Sequence, residues 1–134
     1  MIPLRWWGVV GAVVLLALLL LSVPGPPGPL QVRQTGDVSD LMPGERRELV
    51  GVIDNPGGVP RTTSQLSAAV TGTSHPACGP EFFVIEGSPL AVDLTVPPGP
   101  DQAAWSGLLI ALLPEAAARE ACQGVEATID YALR

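Results

Sequence analysis

Few side chains in this chain are of the types that form cross-links, bind metals or catalyse reactions. Two of them are cysteines. Cys78 and Cys122 would close a loop of about 45 residues if they formed a disulfide. They could also remain free thiols or bind a metal, but a metal needs more ligands than two thiols and the single histidine, His75, supply. An even number of cysteines in an exported chain predicts a disulfide. We therefore predict a Cys78–Cys122 bond, on the condition that the chain is exported.

His75 is the one side chain that could act as the base of a Ser-His-Asp triad. It lies between Ser74 and Pro76 in a segment that is typical of a loop, and the chain has no G-x-S-x-G element. The H-E-x-x-H, P-loop and G-x-G-x-x-G motifs are also missing from the sequence. We therefore expect His75 to be a solvated loop residue, and we predict no catalytic residue and no cofactor.

The carboxylates suggest two further kinds of site. A pair of acids can hydrolyse a glycosidic bond, and several carboxylate oxygens can bind Ca²⁺. The acids considered are Asp37, Asp40, Glu45, Glu48 and Asp54. The first four flank a turn, the set lacks the spacing of an EF-hand, and Trp105 is expected to fill the core rather than to stack on a sugar. We interpret these acids as a solvated rim without a metal, and keep calcium binding as the minor alternative.

The N-terminal segment determines where these residues are delivered. Residues 6–23 are 18 residues without a charge, and they follow Arg5. As a helix they would extend about 27 Å, close to the roughly 30 Å hydrocarbon core of a bilayer. Because no A-x-A cleavage signal lies near their end, we predict an uncleaved signal-anchor helix over residues 1–23, with a cleaved signal peptide as the alternative. Arg5 on the cytoplasmic side would place the rest of the chain outside the cell membrane.

The composition of residues 24–134 indicates how this part of the chain is organised and which classes of partner its charge excludes. Residues 24–30 are rich in proline and glycine and predict a semi-rigid linker to an extracytoplasmic domain of residues 31–134. This domain holds all thirteen acidic residues against six arginines, which gives a net charge near −7. Such a charge argues against nucleic acid. We expect attachment to the membrane through the N-terminal helix, and a protein or polysaccharide of the cell envelope as the partner.

Short β-like segments between proline–glycine turns predict an all-β domain. The predicted strands are 31–35, 48–54, 61–70, 81–86, 91–96, 108–113 and 124–133, and a short helix is predicted over 115–121. The last strand alternates most clearly. Its predicted buried face is Val125, Ala127, Ile129 and Tyr131, and its predicted exposed face is Glu126, Thr128 and Asp130. Seven strands in about 100 residues is the size of an immunoglobulin-like antiparallel β-sandwich.

Several short motifs occur in an order that resembles a known family. They are Leu41-Met42-Pro43-Gly44, Asn55-Pro56, Cys78, Val96-Pro97-Pro98-Gly99, Ala121-Cys122-Gln123-Gly124 and Tyr131. The pattern resembles secreted or membrane-anchored immunoglobulin-like domains of actinobacteria, which are mostly uncharacterised. The resemblance implies the fold, the export and the bridge between the two cysteines, and it implies no catalytic residues. The cysteine positions, before the fourth strand and at the start of the seventh, predict a bridge at the periphery of the sandwich.

These observations lead to one functional expectation with two alternatives. We expect a non-enzymatic, membrane-anchored cell-envelope protein whose exported immunoglobulin-like module has a structural or binding role. The first alternative is a secreted carbohydrate- or protein-binding module that is released by signal cleavage. The second alternative is a small hydrolase that uses exposed carboxylates.

Overall fold

The computed structural model describes residues 28–134. The predicted signal-anchor helix of residues 1–23 and residues 24–27 of the predicted linker lie outside the described residues. From Gly28 to Arg134, no helix is both long and apolar enough to cross a membrane. The last linker residues already belong to the domain, because Leu30 packs against the core and the Arg61 guanidinium donates to the Gly28 carbonyl at 2.6 Å.

The described part of the chain forms seven β-strands, and the predicted all-β class is confirmed. The strands are β1 (Gln31–Gln34), β2 (Arg46–Asn55), β3 (Arg61–Thr73), β4 (Phe83–Glu86), β5 (Leu90–Val96), β6 (Gly99–Leu112) and β7 (Ala127–Leu133). The largest difference from the sequence prediction is β6, which begins at Gly99 rather than at residue 108. The early start follows from the pairing with β2, since Ala103 lies opposite Ile53 and Gly99 lies opposite Asn55.

The seven strands form two antiparallel sheets that share one core. The first sheet has the order β1-β2-β6-β4, and the second has the order β5-β3-β7. The largest fully buried apolar side chains come from both sheets: Leu49, Ile53, Leu66, Val96, Leu108, Ile110 and Leu112. The arrangement is therefore that of a β-sandwich. Trp105 of β6 lies in this core as expected, with its ring centre 5.2 Å from that of Tyr131 in β7.

The order of the strands differs from that of an immunoglobulin constant-type domain. In that domain the fifth strand lies between the second and the fourth. Here β6 takes that place, and β5 pairs with β3 in the other sheet. The four-plus-three division of strands is the same in both arrangements. From β2 onward, every connection in this chain therefore crosses from one sheet to the other.

The alternating face predicted for the last strand is confirmed. Ala127, Ile129 and Tyr131 are half-buried against the core, whereas Thr128 and Asp130 are exposed. The strand begins three residues later than predicted, at Ala127. The delay has a local cause, because Gly124 adopts a φ of 66°, which is outside the extended region. Val125, which precedes the strand, is buried as predicted.

The predicted helix over residues 115–121 was wrong. The segment instead forms two 3-10 helices, Pro114–Ala118 and Glu120–Cys122, separated by Arg119 in an extended conformation. Cys122 therefore lies in the second 3-10 helix and not at the start of the seventh strand. An isolated stretch of this length is too short for a stable α-helix, and contacts with the rest of the fold determine its shape.

The direction of the strands defines two ends of the sandwich. The linker end contains Gly28, the β2–β3 turn, the β5–β6 turn and Arg134. It is held by the buried side chain of Asn55, which donates to the carbonyls of Val59 and Val96 and accepts from the Gly57 amide. The distal end, on the opposite side, consists of residues 35–45, 74–82 and 113–126.

Candidate functional site

The disulfide connects two of the three distal segments. Cys78 and Cys122 are bonded to each other, and both are fully buried. Cys78 precedes β4 and Cys122 precedes β7, so the bond joins the β3–β4 connection to the β6–β7 connection. The predicted pairing is confirmed. The bond also lies beyond the strand ends, which agrees with a peripheral bridge.

The third distal segment is fixed to the end of β6. The Gly44 amide donates to the Leu112 carbonyl at 2.7 Å, and Pro43 forms an isolated parallel bridge with Leu112. Leu41 is 4% exposed and belongs to the core, whereas the neighbouring Met42 is 67% exposed. The backbone around Met42 is therefore anchored on both sides, while its side chain projects into solvent.

Two of the predicted acids stabilise the backbone of this segment. The Asp37 carboxylate accepts the Ser39 amide at 2.8 Å, and this bond lowers the pKa of Asp37. The Glu45 carboxylate accepts the Met42 amide at 2.9 Å, which with the ion pair to Arg47 holds the pKa of Glu45 below its usual value. These carboxylates act as local turn caps, because their charged form is the one that the amides stabilise.

A groove separates the Met42 segment from the β6–β7 connection. Its volume is about 490 Å³. One wall is residues 40–43, and the other is Ala117, Gln123 and Gly124. Gln123 follows Cys122 directly, so the disulfide fixes the position of the second wall. Asp40 is the one ionisable side chain among the described residues that line the groove. Such a lining suits the binding of an apolar group, and it offers no acid–base pair.

The remaining predicted site residues lie apart from this groove. His75 is exposed, and its Nδ1 accepts the Ala77 amide at 3.2 Å, so its imidazole closes a turn. Glu48 is exposed on β2. Asp54 lies at the linker end, where the Arg33 guanidinium and the Asp101 amide lower its pKa. Within residues 28–134, no three His, Cys, Asp or Glu side chains are grouped as metal ligands would be.

Sequence reasoning missed the groove. The Leu41-Met42-Pro43-Gly44 motif indicates a turn and carries part of the family resemblance, and neither signal identifies Met42 as a contact residue. The available signal was a large apolar side chain between an acidic turn and a proline. Comparisons of the chain with protein-family models, with curated proteins and with solved structures found no match.

Proposed function

We propose that this protein is a non-enzymatic, membrane-anchored component of the cell envelope, and that its exported sandwich binds another envelope component through the distal groove. The observation that carries the proposal is Met42, a large apolar side chain that is 67% exposed on a firmly held backbone. Solvent exposure of such a side chain is unfavourable in the free protein. Contact with a partner would offset that cost, and methionine adapts well to binding surfaces.

The proposed orientation follows from the two ends of the sandwich. Residue 28 enters at the linker end, so an anchor formed by residues 1–23 would hold that end near the membrane. The groove would then face away from the membrane, where a partner can reach it. Disulfides form and persist in oxidising, extracytoplasmic compartments, so the Cys78–Cys122 bond supports the proposal that the domain is exported. If the N-terminal segment is cleaved instead, the same groove would belong to a secreted binding module.

The chemistry of the groove favours a protein partner over a polysaccharide. Leu41, Met42, Pro43 and Ala117 line it with apolar atoms, and none of its described lining residues is an aromatic on which a sugar ring could stack. A hydrolase would need two carboxylates at one site, and Asp40 alone lines this one. We further propose that the module is a variant immunoglobulin-like sandwich, because it has seven strands divided four plus three.

Site-specific photocrosslinking in cells that express the full chain tests the proposal. A photoreactive amino acid replaces Met42 in one variant and Val59 in the matched control, since Val59 is also apolar and 53% exposed but lies at the linker end. We expect a discrete adduct with an envelope protein from position 42 and none from position 59. Equal adducts from both positions, or none from position 42, would contradict binding through the groove.

A further inference from the structure

The two sheets have four edge strands, and three of them are short or locally distorted. Natural proteins protect sheet edges with short strands or local distortions. In the first sheet both edges, β1 and β4, are four residues long. In the second sheet β5 contains Asp93 at a φ of 39° and pairs with β3 through an irregular register. The other edge, β7, has seven residues, no proline and no positive φ. Its pairing with β3 also has a register shift, but the extra residue, between Val70 and Gly72, belongs to β3.

The backbone groups that β7 presents at its free edge follow from its register with β3. Arg134 and Gln65 exchange both backbone hydrogen bonds, at 3.0 and 3.1 Å. Hydrogen-bonded positions alternate in an antiparallel pair. The N–H and C=O groups of Ile129, Tyr131 and Leu133 therefore point away from β3. Among residues 28–134, β3 is the one strand that pairs with β7.

The side chains of β7 indicate which residue types a strand paired with its free edge would need. Ile129, Tyr131 and Leu133 are only half-buried, so apolar surface remains available along the inner side of this edge. On the outer face, Asp130 is exposed and lies opposite Ala69, and no ion pair within residues 28–134 includes it. Glu126 adds a second exposed acid just before the strand, and the exposed Arg134 follows the strand at its other end.

We infer that the β7 edge accepts an extended segment of a partner protein as an additional antiparallel strand, and that this segment alternates apolar and basic residues. Its apolar side chains would cover the half-buried inner side of β7. Its basic side chains would lie beside Asp130 and Glu126 on the outer face, where opposite charges stabilise strand pairs. Backbone pairing of this kind is an established mode of peptide recognition. A second copy of this chain fits less well, because it would add the same acids to that face.

The backbone part of the inference has a direct test. The full chain in non-ionic detergent is titrated against a fluorescent, end-capped heptapeptide that alternates lysine and valine, and anisotropy reports binding. In antiparallel pairing the valine N–H groups face β7 and the lysine N–H groups face solvent. We therefore expect N-methylation of the valines to weaken binding by about tenfold or more, since several hydrogen bonds are lost. N-methylation of the lysines should leave binding nearly unchanged.

The charge part is tested with two matched variants. Asp130→Asn removes the acid beside the proposed strand, and Asp93→Asn removes an exposed acid at the opposite edge of the same sheet. We expect Asp130→Asn to weaken peptide binding severalfold and Asp93→Asn to have no effect. Equal binding of the two N-methylated peptides, or no binding of the unmodified peptide at millimolar concentration, would overturn the inference. A dimer of the chain that blocks the peptide would assign the edge to a second copy and overturn it too. None of these results bears on the adduct expected at Met42.

Discussion

Gly51 of β2 lies directly opposite Trp105 of β6, and the indole ring covers the space where a side chain would begin. A Cβ atom at position 51 would lie 2.6 Å from the Trp105 ring and would also overlap the carbonyl oxygen of Arg33 in β1. The indole Nε1 donates to the Val52 carbonyl at 3.3 Å. This glycine therefore allows β1, β2 and the core tryptophan to pack together.

Gly51→Ala should destabilise the domain strongly. Overpacking a core lowers the free energy of unfolding by about 1–3 kcal/mol. Because the added Cβ would overlap a backbone oxygen, which cannot move aside easily, we expect a loss near the upper end of that range. Gly72→Ala in β3 is the matched control, because its added Cβ would meet only Thr128, at an ordinary contact distance of 3.7 Å. Thermal unfolding followed by circular dichroism compares the two. Similar melting temperatures for both variants would show that the packing around Trp105 is looser than described.

The disulfide should account for a large share of the stability. Its removal in the double variant Cys78→Ala, Cys122→Ala frees a loop of 44 residues in the unfolded chain, which should cost about 2–4 kcal/mol. In a domain of about 100 residues each 1 kcal/mol lowers the melting temperature by about 4–8 °C. Reductant should lower the melting temperature of the wild type in the same way and leave that of the double variant unchanged. An equal melting temperature for the two proteins would contradict the prediction.

The Tyr131 hydroxyl donates to the Gln34 carboxamide oxygen at 2.6 Å. We expect this hydroxyl to lose its proton at a higher pH than an exposed tyrosine does. Burial raises the pKa of Tyr131 from 10.0 to about 12. Between these two pH values the unfolded chain loses the phenol proton while the folded chain keeps it. Stability from this group is therefore complete below pH 10 and falls as the pH rises through that window.

Phenolate absorbance measures this titration directly, because Tyr131 is the single tyrosine of the chain. The folded protein should show a midpoint near 12, and protein unfolded in denaturant should titrate near about 10. Tyr131→Phe should remove the signal and cost about 1 kcal/mol for the lost hydrogen bond. Coincident midpoints for folded and unfolded protein would place the hydroxyl in solvent.

The two faces of β7 should respond oppositely to the same substitution. Ile129→Asp puts a charge on the side that packs against the core, whereas Thr128→Asp puts it on the exposed side. We expect Ile129→Asp to destabilise the fold by about 1–3 kcal/mol, since Ile129 is half-buried and a charge without a partner is costly to place against the core. Thr128→Asp should stay within about 0.5 kcal/mol of the wild type, as most surface substitutions do. The same loss in both variants would show that the faces are misassigned.

Most strand positions, with the start of β6 as the main exception, could be predicted because their signals are local. The alternation of Thr128 and Asp130 with apolar neighbours reveals the two faces of β7, and Asn55-Pro56 marks the end of β2. The strand order could not be predicted in the same way. Whether β5 or β6 lies beside β2 depends on contacts between distant residues, such as Gly51 with Trp105. No local pattern contains that information.

The distal end was harder to predict for the same reason. The alanine-rich segment after Pro114 has good helix propensity, but a buried disulfide at Cys122 and the stacking of Arg119 over Phe82 impose two short 3-10 helices instead. In the loop before β2, Leu41 turns inward and Met42 turns outward. With no strand or helix period to separate them, the exposed residue could not be identified.

We propose that an uncleaved N-terminal anchor holds the disulfide-bonded sandwich outside the cell membrane. Intact-mass analysis of the tagged chain from carbonate-washed membranes, with alkylation before and after reduction, tests it most directly. We expect a chain that includes residues 1–23, remains with the membranes, and takes up two alkyl groups only after reduction of Cys78–Cys122. A shortened chain in the medium, or a membrane-bound chain that is alkylated at both cysteines without reduction, would contradict it.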